Sequence, residues 1–113
     1  MSLNVNTGSI ITQQEAKDLA RSFESRFPNE ITSSFIGSAN LEALLNQNDC
    51  IGIRIYNGYD EIAEKISLIM VGVDSKEKDI INNRLIYDQM ATCPPMCPVD
   101  GLLINKIFLY LST

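Results

Sequence analysis

The chain has 113 residues, 45% of them hydrophobic, and its 14 acidic and 9 basic side chains give a net charge of −5. These values are typical of one globular domain and exclude a disordered chain or two separate domains. The acidic balance and the lack of a basic cluster argue against nucleic acid and membrane surfaces as partners. The chain has no histidine, which excludes Ser-His-Asp and Cys-His catalysis and imidazole metal ligands.

Residues 1–10 are polar and are expected to form a loose arm. A first helix is predicted to follow Thr12, because Thr12 and Glu15 have the spacing of a capping box. Pro28 ends this helix, since a proline disfavours the helical conformation of the residue before it. Its apolar stripe at helical spacing consists of Ala16, Leu19, Ala20, Phe23 and Phe27.

The next segment, residues 29–37, is expected to be a connection whose Ile31, Phe35 and Ile36 cover the core. A short second helix is predicted over residues 39–47, ending at Asn48-Asp49, which tolerate a left-handed backbone. Its buried stripe consists of Leu41, Leu44 and Leu45.

The middle of the chain predicts strands. Isoleucines alternate with Gly52, Arg54 and Tyr56 over residues 51–56, and residues 65–73 are apolar on both faces. We expect these to be adjacent antiparallel strands with Ile53 and Met70 in the core. The connecting loop contains Asn57-Gly58, a hairpin-turn dipeptide, and residues 85–87 suggest a third strand.

The pattern of the C-terminal segment, residues 102–111, favours a helix, and the segment is too short to cross a membrane. Its apolar character predicts a homodimer that forms through this segment. The fold class is therefore α+β, a small single domain spanning residues 1–113. Its N-terminal helices are expected to pack on one face of an antiparallel sheet, with a C-terminal helix.

The most distinctive motif is Cys93-Pro94-Pro95-Met96-Cys97. An extended diproline path would separate the cysteines by roughly 12 Å, so the expectation is two reduced, unmetallated and at least half-buried thiols. Direct pairing would require a turn. The alternatives are thiol-redox chemistry or a soft-metal site on Cys93 and Cys97 that includes Cys50.

Two further groups are candidate ligand-binding residues. Arg54 and Tyr56, on one face of the first predicted strand, could hold a small anion; alternatively, Arg54 reaches across the sheet to an acidic neighbour. Asp60 and Glu61, with Tyr59 and Glu64, could bind a cation or act as an acid–base pair, or they form a solvated loop.

Four segments of the chain, TQQEAKDLA (12–20), CIGIRIYNG (50–58), LIMVGVD (68–74) and CPPMC (93–97), resemble a family of small uncharacterised bacterial proteins. The resemblance implies one compact unit and no particular activity.

No convergent catalytic set and no cofactor motif occur in the sequence, and no cofactor is expected. The favoured interpretation is a small non-enzymatic module that binds a protein or a small ligand. The N-terminus has no export signal and three cysteines are present, which predicts a cytoplasmic protein. The alternative is a thiol-redox or soft-metal-binding protein, and a carboxylate enzyme using residues 59–64 comes third.

Overall fold

A computed structural model of the protein describes residues 2–82, 85–98 and 101, which fall into two compact units. One unit runs to Gly8 and then covers Phe35–Met90; the other covers Ser9–Ser34 and the chain from Ala91. The elements in chain order are α1 (Gln13–Arg26), β1 (Ser33–Phe35), α2 (Ser38–Leu45), β2 (Cys50–Asp60), β3 (Lys65–Asp74), β4 (Ile86–Tyr87) and β5 (Ala91–Cys93).

Two helices and antiparallel strands confirm the α+β class. The predicted C-terminal helix, and the dimer contact assigned to it, lie outside the described residues. Among the described residues, no helix combines the length and the hydropathy that a bilayer span requires.

Helix α1 begins as its sequence predicts. The Glu15 amide donates to Thr12 Oγ1 at 3.0 Å, and the Thr12 amide donates to Glu15 Oε1 at 3.3 Å, which completes the capping box. The Phe23 and Phe27 rings of its stripe lie 5.1 Å apart. No residue of α1 is buried, so capping and helical periodicity define this helix more than core packing does.

The unit that contains α1 also contains a small sheet of β1 and β5. The Thr32 amide donates to the Cys93 carbonyl at 2.8 Å, next to this pair of strands. The connection after α1 thus includes a strand, and Phe35 at its end is 69% exposed. The expectation that Phe35 covers the core was wrong, because the short strand turns this ring toward solvent.

Strands β2 and β3 form the long hairpin of the other unit, in antiparallel register from Gly52 opposite Val73 to Asp60 opposite Lys65. The turn is at residues 61–64, so the prediction that the loop begins at Asn57 and contains Asn57-Gly58 was wrong. The Asp60 carboxylate makes this turn by accepting the Ile62 and Ala63 amides at 3.0 Å each.

The third predicted strand is confirmed. Strand β4 pairs with β3 at Met70–Tyr87 and Val71–Ile86, which gives the sheet order β2-β3-β4. Among the described residues, β2 therefore lies at an edge of the sheet.

Helix α2 packs on this sheet and contacts β2 and β3, and the buried side chains of the unit lie in α2 and on both faces of β3. Leu44 of α2 is fully buried, and Met70, Val71 and Val73 of β3 are also buried. Ile53 lies on the adjacent antiparallel strand as predicted, but it is only half-buried.

Candidate functional site

Arg54 and Tyr56 lie on one face of β2, because alternate residues of a strand share a face. Both contact Asp79, which follows the turn after β3 and forms a bridge with Val73. The Arg54 guanidinium pairs with Asp79 Oδ1, and the Tyr56 hydroxyl donates to Oδ2. Arg54 thus reaches an acidic neighbour, one of the two interpretations of this residue.

The charge of this cluster is fixed by its contacts. Hydrogen bonding with Tyr56 and then the carboxylate of Asp79 favour the protonated guanidinium, and together they raise the pKa of Arg54 above its ordinary value. Arg54 therefore stays cationic, and the Asp79 carboxylate accepts hydrogen bonds from both Arg54 and Tyr56. The sequence does not indicate that Asp79 is the partner of Arg54, because 25 residues separate the two along the chain.

The N-terminal arm, residues 2–8, is attached to the turn after β3. The Leu3 amide donates to Glu77 Oε1 at 2.8 Å. A turn follows in the arm, in which the Asn4 amide donates to Thr7 Oγ1 at 3.0 Å and the Thr7 amide donates to the Asn4 carbonyl at 3.1 Å. These contacts hold the arm near the start of β2.

Between the arm and β2 lies a cavity of about 370 Å³, which we call the edge cleft. The cavity runs along five consecutive β2 residues and, past Gly52, which has no side chain, reaches Val73 on the adjacent strand β3. The edge cleft is lined by Leu3, Asn4, Val5, Thr7, Ile51, Gly52, Ile53, Arg54, Ile55 and Val73. The apolar residues Leu3 and Val5 in an otherwise polar arm are the sequence signal for its role, and this role was not predicted.

From Ile55, at the end of the edge cleft, β2 continues as a strand with large exposed apolar side chains. Ile55 is 54% exposed and Tyr59 is 56% exposed, and both lie on the same face of the strand. Ile62, in the turn that follows, is 97% exposed. Edge strands of this kind present unpaired backbone groups to other chains.

The structure does not bring Asp60 and Glu61 to Arg54 and Tyr56. Asp60 is six residues from Arg54 along β2, roughly 20 Å at strand rise. One oxygen of its carboxylate is engaged in the turn, and Glu61 is exposed beside it. In the single chain, the Asp60 carboxylate therefore acts on its own hairpin turn.

Cys93 and Cys97 form a disulfide, with their Cα atoms 4.5 Å apart. The prediction of two reduced thiols on an extended loop was wrong because the chain turns, with the Met96 amide donating to the Thr92 carbonyl at 2.7 Å. The Cys93–Pro94 and Pro94–Pro95 peptide bonds are both cis. Cys93 is buried and Cys97 is half-buried, as the sequence suggested.

Cys50, the third candidate thiol, belongs to the other unit and is half-buried. Its Sγ donates to the Gly52 carbonyl at 3.2 Å. In residues 2–82, 85–98 and 101, no three His, Cys, Asp or Glu side chains form a group that could hold a metal ion.

No protein-family model, no curated protein and no solved structure matches the chain. The resemblance to a bacterial family therefore stays a prediction.

Proposed function

We propose that this protein is a small non-enzymatic interaction module that takes up an extended polypeptide strand along β2, which is an edge strand in the part of the chain that the structure describes. The observation that carries the proposal is the edge cleft, whose wall is the consecutive run Ile51–Ile55. A strand added at a sheet edge gains main-chain hydrogen bonds along the backbone and specificity from pockets for alternate side chains.

The chemistry of the edge cleft suits this ligand. Its aliphatic side chains, Leu3 and Val5 from the arm and three isoleucines from β2, offer apolar contacts for every second residue of an added strand. Arg54 is held by Asp79 and forms a polar part of the wall. Asn4 and Thr7 supply hydrogen-bonding groups on the side of the arm.

A labelled hexapeptide of alternating threonine and valine tests the proposal. Its fluorescence anisotropy should rise saturably with protein concentration, because its backbone can pair with β2. The same peptide N-methylated at alternate residues lacks donors on one edge and should not bind. Equal binding of both peptides, or binding of neither to the monomeric protein, would overturn strand addition.

A pair of protein variants locates the binding. Val5→Lys replaces an exposed apolar side chain of the edge cleft with a charge and should weaken peptide binding several-fold, since a bound peptide would cover that charge. Ile10→Lys changes a fully exposed residue outside the edge cleft and should leave binding unchanged. The reverse order would place the peptide elsewhere.

The disulfide favours a second candidate function, reversible thiol–disulfide chemistry at Cys93 and Cys97. A disulfide that closes so short a loop contributes little chain-entropy stabilisation, and the neighbouring Met96 is exposed. An external dithiol would attack the more accessible Cys97 sulfur and release Cys93. The S–S bond is reduced by two electrons and two protons, and the dithiol becomes a disulfide.

Alkylation with iodoacetamide in denaturant, read by intact mass, tests this candidate. Without reductant we expect one modified cysteine, Cys50, and after dithiothreitol three. Removing the reductant should restore the first result. Three modified cysteines without reductant would mean that both loop thiols are reduced, and would remove the candidate.

The cytoplasmic location stays a prediction. Disulfides are more usual in oxidising compartments, so alkylating the protein inside intact cells before lysis bears on this prediction as well as on the redox candidate.

A further inference from the structure

We propose that the strand taken up by β2 is the β2 of a second copy, paired antiparallel about a twofold axis at Asn57. The inference rests on the proposed function and names its partner. Strand β2 has eleven residues and forms the edge of the sheet in the described part of the chain. A homodimer through this edge would extend the sheet across both copies.

The register follows from charge complementarity. With Asn57 opposite the partner's Asn57, Arg54 lies opposite the partner's Asp60, and twofold symmetry makes this pair twice. A twofold axis perpendicular to the sheet keeps each residue on its own face, so the register can shift only in steps of two residues. Either step places Arg54 opposite Gly58 or Ile62, and the ion pair is lost.

Arg54 and Asp60, which face each other in this register, both have hydrogen-bonding groups that are not used within the single chain. A guanidinium carries five N–H donors, and Asp79 engages Arg54 through Nη1. Asp60 uses Oδ1 in its turn, which leaves Oδ2 to accept from a partner's Arg54. Opposite-charge pairs directly across antiparallel strands are stabilising.

Apolar contacts agree with the same register. Ile55 lies opposite the partner's Tyr59, and the two side chains are each more than half exposed in the single chain. Aromatic and β-branched side chains form favourable cross-strand pairs. The pairing therefore covers the apolar side chains that β2 leaves exposed from Ile55 to Tyr59.

The edge cleft receives the partner's hairpin turn. The partner's strand ends at Asp60, opposite Arg54, so the partner's turn at residues 61–64, which carries Ile62, comes next to the part of β2 where the edge cleft is lined by aliphatic side chains. Ile62 is 97% exposed in the single chain, which is unusual for isoleucine at the tip of a turn. In the dimer, the Ile62 side chain of each copy would thus be buried in the edge cleft of the other copy.

Sedimentation equilibrium of the intact protein at about 100 μM tests the association, a concentration suited to the weak binding of small interfaces. We expect a monomer–dimer equilibrium that Ile62→Lys shifts to monomer by roughly tenfold or more, because a charge enters an apolar cleft. Ile10→Lys, another fully exposed isoleucine, should leave the equilibrium unchanged. Asp60→Asn keeps the turn acceptor and removes the charge, so it should weaken the dimer several-fold.

Cross-linking tests the register. Asn57→Cys should form an intermolecular disulfide in a glutathione redox buffer, because directly opposite Cα atoms in antiparallel strands lie about 4.5–5.5 Å apart, within disulfide range. Asn82→Cys, also exposed, should not cross-link. A dimer in which Asn57→Cys fails to cross-link would overturn the interface.

The outcomes separate the two proposals. A protein that stays monomeric but binds the threonine–valine peptide would overturn the homodimer and retain strand addition. In contrast, Ile62→Lys should leave the peptide affinity of the monomer unchanged, because Ile62 does not line its own edge cleft. A monomer that binds no peptide would overturn both.

Discussion

Replacing Leu44 with alanine is expected to lower the free energy of unfolding by about 2–5 kcal/mol. Leu44 is the large side chain of α2 that is fully buried, with 0% of its surface exposed. Helix α2 contacts both long strands, so the truncated side chain would leave a cavity between the helix and the sheet. The loss combines reduced apolar burial with that cavity.

Leu45→Ala is the matched control. It lies next to Leu44 on the same helix, makes the same chemical change and has the same helix propensity effect, but Leu45 is 44% exposed. We expect a loss below about 1 kcal/mol, measured by urea unfolding followed by circular dichroism. Equal losses for the two variants would contradict the packing of α2 on the sheet.

The second large effect is expected for Gly58→Ala, which should lower the free energy of unfolding by about 1–3 kcal/mol. A Cβ at Gly58 would lie 2.6 Å from the carbonyl oxygen of Ser67, its opposite residue in β3. That neighbour is backbone, so the hairpin itself must shift to relieve the contact. The variant should also broaden the NMR signals of the β2 and β3 amides around this pair.

Gly52→Ala is the control within the same strand. A Cβ there meets no atom within 4 Å, and alanine is no worse than glycine in a strand. The expected change is within about 0.5 kcal/mol of zero. If Gly52→Ala were as harmful as Gly58→Ala, the cost would come from strand propensity and not from the close approach of Ser67.

Part of the fold could be predicted because its determinants are local. The capping box of Thr12 and Glu15 involves neighbours in the chain, and the alternation around Ile53 is a property of one strand. The left-handed backbone at Asp49, with φ of 60°, was likewise indicated by the residue type at the end of α2. Signals of this kind are readable in one sequence.

The candidate site was harder to predict because its contacts join distant parts of the chain. Arg54 and Tyr56 were identified as candidates, but their partner Asp79 and the arm residues Leu3 and Val5 were not. Spacing in the sequence does not indicate which acidic residue a strand residue will reach across a sheet. The edge position of β2 also depends on the order of strands, which no local pattern encodes.

By itself, the sequence determined the α+β class, the long antiparallel hairpin and the exclusion of histidine-based chemistry, because residue periodicity and composition act at short range. Only the tertiary structure decided that Asn57-Gly58 lies within paired strands and that Cys93 and Cys97 are bonded. Turn dipeptides and proline-rich segments allow several backbone paths, and long-range pairing selects among them. For Gly58, the selecting contact is with Ser67; for the cysteines, it is the turn that brings their Cα atoms to 4.5 Å.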